Sequence, residues 1–404
     1  GVGDAVVVGL GAMLGAGVFA AFGPAARAAG SGLLLGLAVA ALVACCNAAS
    51  SARLAALYPE SGGTYVYGRR RLGPLWGHLA GWAFVVGKTA SCAAMALTLG
   101  SYVWPAHPRV AAAAAVVALT ALTYRGVQKS VRATRVIVIV VLAVLAAVVV
   151  ACFAGGTSSS LHPFPGSDAH GVLQAAGLLF FAFAGYARIA TLGEEVREPA
   201  RTIPRAIGIA LGITVVVYAV VAVAVLSAVG AGALASSPAP LRTAVEAGRW
   251  HALAPLVQVG GATASLGALL ALLLGVSRTT LAMSRDGHLP RALAVVHPRF
   301  GVPHRAELAV GAVVLVLALT TDLRSAIGFS SFGVLAYYAI ANASAATLRP
   351  DEGPPPRWVP AVGVLGCATL AVNLPLTSVI VGAGVLVLGL VAYSLTRGNV
   401  GARQ

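Results

Sequence analysis

Two cationic residues lie deep inside long apolar runs of this chain, and chemistry is to be sought there first. Lys88 stands in Val85-Val86-Gly87-Lys88-Thr89-Ala90-Ser91, and Arg188 follows Gly185-Tyr186-Ala187. A charge at mid-helix in a bilayer costs about 2.5–3.5 kcal/mol even on insertion scales, so such residues face a cavity or a partner. Arginine stays charged under ordinary conditions, whereas a lysine can exchange its proton. Both are read as coupling candidates, Lys88 ahead of Arg188, beside the simpler role of a cation satisfied by helix-end carbonyls or hydroxyls. The second chemical feature is backbone. Gly9, Gly11, Gly15 and Gly17 fall within nine residues of one apolar run, and each weakens a helix by about 1 kcal/mol relative to alanine. A helix unwound there frees N–H groups at the start of the next half-helix, where the dipole favours a carboxylate. The run Phe180-Phe181-Ala182-Phe183-Ala184-Gly185-Tyr186 offers a second break, whose freed carbonyls suit an ammonium group. Donors for a carboxylate and acceptors for an amine are what the two ends of an amino acid zwitterion need. Gly11 and Gly15 also match the spacing that lets a neighbouring helix approach closely, and that alternative stays open.

Enzymatic chemistry finds no comparable set. No nucleophile and base, and no cluster of carboxylates and histidines, falls within the apolar runs. The five cysteines, Cys45, Cys46, Cys92, Cys152 and Cys367, show no metal-ligand spacing and read as reduced core residues. No cofactor or metal is expected. The glycines are not a dinucleotide fingerprint, because no strand precedes them and no βαβ pattern follows.

The elements that must position these residues are membrane helices. Of 404 residues 59% are hydrophobic and only 10% charged, with a mean hydropathy of +0.90, which excludes a soluble enzyme, a disordered chain and a disulfide scaffold. Apolar runs bounded by Pro, Gly and charge place twelve spans at 4–22, 33–56, 74–104, 110–124, 133–154, 171–195, 203–229, 253–285, 307–321, 325–347, 358–374 and 377–396. Apart from Lys88 and Arg188, the lysines and arginines divide twenty to five between the two sides implied by these spans. The positive-inside rule then makes the richer side, with both termini, cytoplasmic, in a multi-pass protein of the inner (plasma) membrane. It also accounts for the net charge of +15 without a nucleic-acid partner; the partners expected are substrate, protons and membrane lipids. The chain opens at Gly1 and runs straight into a span with no cleavage-site pattern, which reads as a trimmed start with no signal peptide.

Span lengths carry a repeat. A 31-residue span followed by one of 15 returns five spans later as 33 followed by 15. Two five-helix units of odd number enter the membrane in opposite senses, giving inverted repeats over 1–155 and 170–347 with the site at their interface. Spans 11 and 12, within 357–397, are accessory. The first helix of each unit is the one interrupted by glycine.

The sequence resembles the amino acid–polyamine–organocation superfamily. The resemblance is carried by Gly15-Ala16-Gly17-Val18-Phe19, Tyr58-Pro59-Glu60-Ser61-Gly62-Gly63-Thr64-Tyr65, Gly126-Val127, Glu194-Glu195 with Pro199 and Pro204, and Ser284-Arg285-Asp286-Gly287-His288-Leu289-Pro290. It implies the leucine-transporter fold, an all-α bundle with helices 1 and 6 discontinuous, and alternating access for an amino acid or related amine. It further implies that amides around Gly15, Ala16 and Gly17 hold the substrate carboxylate and that carbonyls of Met13, Phe181 and Ala184 accept from its amine, with Phe181, Gly185 and Tyr186 shaping the pocket. Two positions depart from the pattern. Relatives often carry a lysine partway along span 5, where this chain has Val141, and an acidic residue two positions after Gly185, where it has Ala187.

The expected function is therefore an amino acid permease working by alternating access and coupled to protons, with Lys88 as the coupling candidate. An exchanger of amino acids or amines is the alternative, separable by counterflow, and a non-transporting membrane sensor is a third reading. With no Asp or Glu near the midplane, neutral or acidic substrates are expected over cationic ones. Gly17→Val is expected to lose binding while folding normally, Glu194 and Glu195 to pair with loop arginines, and His78 to lie at the membrane interface.

Overall fold

The computed structural model describes residues 1–60, 62–126, 131–154, 167–193 and 195–401, with side chains as far as 395. Among them every regular element is a helix. In chain order these are α1 (Val2–Met13), α2 (Ala16–Ala20), α3 (Phe22–Ala29), α4 (Leu33–Leu57), α5 (Thr64–Arg71), α6 (Pro74–Val103), α7 (Pro108–Tyr124), α8 (Val131–Ala154), α9 (Ala169–Phe183), α10 (Ala187–Ala190), α11 (Pro199–Ser236), α12 (Pro240–Glu246), α13 (Ala254–Arg285), α14 (His304–Thr320), α15 (Leu323–Ala346), α16 (Trp358–Val372) and α17 (Leu376–Gly401).

Apolar solvent explains the choice of helix, since each backbone N–H and C=O must find its partner within the segment. Local residues set the boundaries. Proline opens α6, α7, α11 and α12, where its missing N–H has no intrahelical role. The side chains of Asp168 and Asp322 cap α9 and α15, accepting from Gly171 N at 2.8 Å and Ser325 N at 3.0 Å. In α11 the ladder breaks at Gly230, whose φ of 74° suits glycine. The outer surface is hydrocarbon: α8 shows Val136 and Ile139, and α17 shows Leu376 and Leu388, each at least 60% exposed.

Among the described residues nine helical stretches are long and apolar enough to cross a membrane. The remaining three positions expected to span carry shorter helices, α7 and α14 with 17 residues each and α16 with 15. The span pattern also missed the short helices α3, α5 and α12, because Gly, Pro and charge were treated as breaks between long runs. In α3, Gly23 and Pro24 are simply accommodated in the first turn.

Packing is tightest around α6, which lies between α15 and α13, while α1 rests on α11 and α8. Glycine brings α6 and α15 together. A Cβ added at Gly333 would stand 2.9 Å from Gly87 Cα and 3.0 Å from the Ala83 carbonyl, both backbone. This crossing fixes the height of Lys88, the next residue on α6. A buried polar cluster ties α15 to α4 and α16: Asn342 Nδ2 donates to Asn47 Oδ1 at 2.6 Å, Ser50 Oγ donates to Asn342 Oδ1 at 2.7 Å, and Asn47 Nδ2 approaches Cys367 Sγ at 3.3 Å. The cysteines are free, with Cys45 exposed and the others buried.

Overpacking in such a crossing typically costs about 1–3 kcal/mol. Gly333→Ala should therefore lower the thermal unfolding temperature in detergent, measured by scanning fluorimetry, and Gly208→Ala, where an added Cβ meets nothing within 4 Å, should leave it unchanged.

Candidate functional site: a cavity at two helix interruptions

The glycine-rich run does break its helix. The α1 ladder ends at Met13, Leu14 caps it with its N–H on the Leu10 carbonyl, and Gly15 turns the chain at φ −80°, ψ −141° before α2 begins. The second interruption lies between α9 and α10, where Ala184–Tyr186 form one turn of 3₁₀ helix. The two breaks pack backbone to backbone. A Cβ on Gly185 would stand 2.5 Å from Ala12 C and 2.7 Å from Met13 N, and one on Gly17 would stand 2.7 Å from Ala182 Cα. Only glycine permits either approach.

Side chains from other helices repair the broken ladders. Tyr218 of α11 donates to the Met13 carbonyl, and its Oη also lies 3.0 Å from the Ala182 carbonyl. Tyr102 of α6 donates to the Phe19 carbonyl at 2.9 Å. The Ala184 carbonyl accepts twice, from Lys88 Nζ at 3.2 Å and from Tyr338 Oη at 3.3 Å. Tyr186 is fully buried and stacks on Tyr338 with ring centroids 4.9 Å apart.

Beside the breaks lies a cavity of about 170 Å³, enclosed by α6, the α9–α10 interruption and α13. It is roomy enough for several water molecules or a small metabolite. Along α13 it reaches from Ala268, against which Gly15 packs, to Ala282, roughly 21 Å at 1.5 Å per residue. Lys88, Ser91 and Phe181 belong to the part near the breaks; Gly62, Tyr65 and Glu195 line the cavity too. Tyr65 carries it toward the arginine-rich α5, donating to Asp286 Oδ2 at 2.5 Å, and Arg69 bonds the same carboxylate at 2.9 Å. On α5, the short helix between α4 and α6, burial and the Asp286 carboxylate raise the Tyr65 hydroxyl above the usual phenol range.

Of the residues singled out from sequence, Phe181, Ala184, Gly185, Lys88 and Arg188 line the cavity. Met13, Gly15, Ala16, Gly17 and Tyr186 are buried behind it, supporting its wall. Arg188 is not an isolated midplane charge: it is about one-third exposed and bonds Thr191 Oγ1 at 3.0 Å and Glu195 Oε1 at 3.4 Å. Glu195 thus pairs with Arg188 rather than with a loop arginine, and Glu194 lies outside the described residues. His78 is fully buried between α6 and α17, its Nε2 2.9 Å from the Gly389 carbonyl of α17 and its ring stacked on Trp82. Val141 is buried in α8 and Ala187 in α10. Sequence reasoning passed over Tyr218 and Tyr338. The available signal was a lone hydroxyl in the middle of an apolar run, which in hydrocarbon must have an acceptor.

The sequence matches the amino acid permease family model over residues 1–395. The chain belongs to that family. It is accordingly a member of the amino acid–polyamine–organocation superfamily and a membrane transporter rather than an enzyme. It is 68% identical to an uncharacterised transporter of Mycobacterium tuberculosis, over 98% of this chain and 90% of that one. A branched-chain amino acid permease of Bacillus subtilis is 26% identical over 97% of this chain and 91% of its own length. Human cationic amino acid transporter 4 is 29% identical, covering 87% of this chain and 60% of its own.

Permease integrity at the breaks should depend on the tyrosine repair. Tyr218→Phe leaves two buried carbonyls without their donor, a loss of about 1–3 kcal/mol, to be seen as a lowered unfolding temperature in detergent. Gly17→Val, which drives a side chain into the Ala182 backbone, should reduce the yield of folded protein as well as transport.

Proposed function

We propose that this permease carries amino acids across the cytoplasmic membrane by alternating access, with uptake coupled to protons. The observation that carries the reading is the pair of helix interruptions packed on each other at the head of a cavity, the arrangement by which discontinuous helices present backbone groups to a small polar cargo. The architecture in this reading has twelve spans, α7, α14 and α16 crossing as short helices with flanking residues at the interfaces. The long and short pair of the first unit, α6 and α7 with 30 and 17 residues, returns as α13 and α14 with 32 and 17. This supports inverted repeats over 1–155 and 170–347, a leucine-transporter fold, with 357–397 accessory and both termini cytoplasmic.

The site residues divide by task in this reading. Gly15, Ala16 and Gly17 provide the amide-bearing turn and Met13, Phe181 and Ala184 the carbonyl-bearing one, becoming available as the breaks open. Gly185 lets the breaks meet, and Phe181 and Tyr186 form the wall. Lys88 is the coupling group. It is 6% exposed, faces the cavity, and among the described residues has a backbone carbonyl and no carboxylate as its partner. Its protonation can therefore follow the exposure of the cavity to either side. The named cargoes of the relatives, branched-chain and cationic amino acids, differ in charge, so individual side chains within a shared scaffold must set selectivity.

Purified protein in liposomes, screened with labelled amino acids, tests the reading. Uptake of at least one amino acid should be stimulated severalfold by an inwardly directed proton gradient. In Lys88→Ala whatever uptake remains should be indifferent to that gradient; undiminished dependence on it removes Lys88 as the coupling group.

A further inference from the structure

The polar groups at the head of the cavity are unevenly matched. Its acceptors are occupied: the Ala184 carbonyl has both lone pairs engaged by Lys88 and Tyr338, and Tyr218 covers the carbonyls of Met13 and Ala182. Its donors are not. An ammonium has three N–H groups, and among the described residues the hydrogen bond of Lys88 goes to Ala184 alone. Ser91, one turn away on the same helix, directs its hydroxyl elsewhere, to Gly87 O at 3.3 Å and Ser330 Oγ at 2.5 Å.

Charge points the same way. The cavity is lined by Lys88, Arg188, Arg278 and Glu195. Arg188 and Glu195 satisfy each other, Arg278 is exposed at the far end, and Lys88 is left buried with one neutral acceptor. A buried ammonium in that condition is costly and is stabilised chiefly by a carboxylate brought against it. A cargo of no net charge leaves the balance as it is, and a cationic side chain worsens it. A second carboxylate corrects it.

Building on the transport reading above, we propose that Lys88 is the anion anchor of the site and that the preferred cargo is a dicarboxylic amino acid, one carboxylate of which takes the two N–H donors of Lys88 that Ala184 does not. Proton and cargo are then bound together: the protonated lysine holds the anion, and loss of the proton releases it. Lys88 thereby acts as the specificity-determining residue of the cavity.

The wild-type protein in liposomes should take up glutamate or aspartate about tenfold faster than leucine at equal low concentration, with arginine slower still, a ratio that corresponds to about 1.4 kcal/mol. In Lys88→Gln the ratio of acidic amino acid to leucine uptake should fall at least tenfold, and Lys88→Arg, which keeps the charge, should retain an acidic preference. Competition by unlabelled amino acids against the wild-type protein gives the same ranking without a variant, should Lys88→Gln fold poorly. A wild-type preference for leucine or arginine overturns the anchor while leaving amino acid transport intact, as does a Lys88→Gln protein with an unchanged ratio. No uptake or counterflow of any amino acid by the wild-type protein overturns both.

Discussion

The structure depends on one constraint: in hydrocarbon, a backbone carbonyl or amide that leaves its helical ladder must be given another partner at once. Two helices of this chain leave their ladders in the same place. The groups so released are met by tyrosine hydroxyls from three other helices and by one lysine, so that Tyr218, Tyr102, Tyr338 and Lys88 do for the backbone at the breaks what the i to i−4 bonds do elsewhere. Each donor reaches the break from a helix that is itself continuous there. The interruptions are thus held by the surrounding bundle and not by their own short segments.

Glycine acts in two distinct ways in this arrangement. In the interruptions it removes side-chain volume so that two pieces of irregular backbone touch, as Gly185 does against Ala12 and Met13. In the α6–α15 crossing it lets regular helices approach until their backbones meet, and the cationic residue beside it is carried to the level of the Ala184 carbonyl. Positioning Lys88 therefore needs no polar network of its own; close packing and the rise of a helix are enough.

Much of this was legible from residue order. Long apolar runs identify the bundle because no other solvent tolerates them, and four glycines in nine residues locate the first break since their effect is local. Lys88 is conspicuous for the same reason: one charge in an apolar run is expensive. What sequence could not supply was pairing across the bundle. Arg188 looks isolated in the linear order, yet the turn at Thr191 brings Glu195 back to it. Tyr218 lies 205 positions from the carbonyl it satisfies, and nothing in its immediate neighbours marks that partnership. The cover of His78 is equally remote in the chain, coming from α17 more than three hundred residues on. Short helices such as α3 were lost to boundary rules that treat every Gly-Pro pair as an end.

The long, one-sided cavity has an electrical consequence. It extends roughly 21 Å along α13 from the breaks to a mouth where Arg278 is exposed and Glu195 is more than half exposed. Filled with electrolyte, a cavity of that depth conducts better than the packed protein beyond the breaks. A membrane potential would then fall mostly over the tyrosine-pinned layer behind Ala184, where each elementary charge moved through 100 mV gains or loses about 2.3 kcal/mol. Charge movement at the breaks would carry most of the voltage dependence of transport.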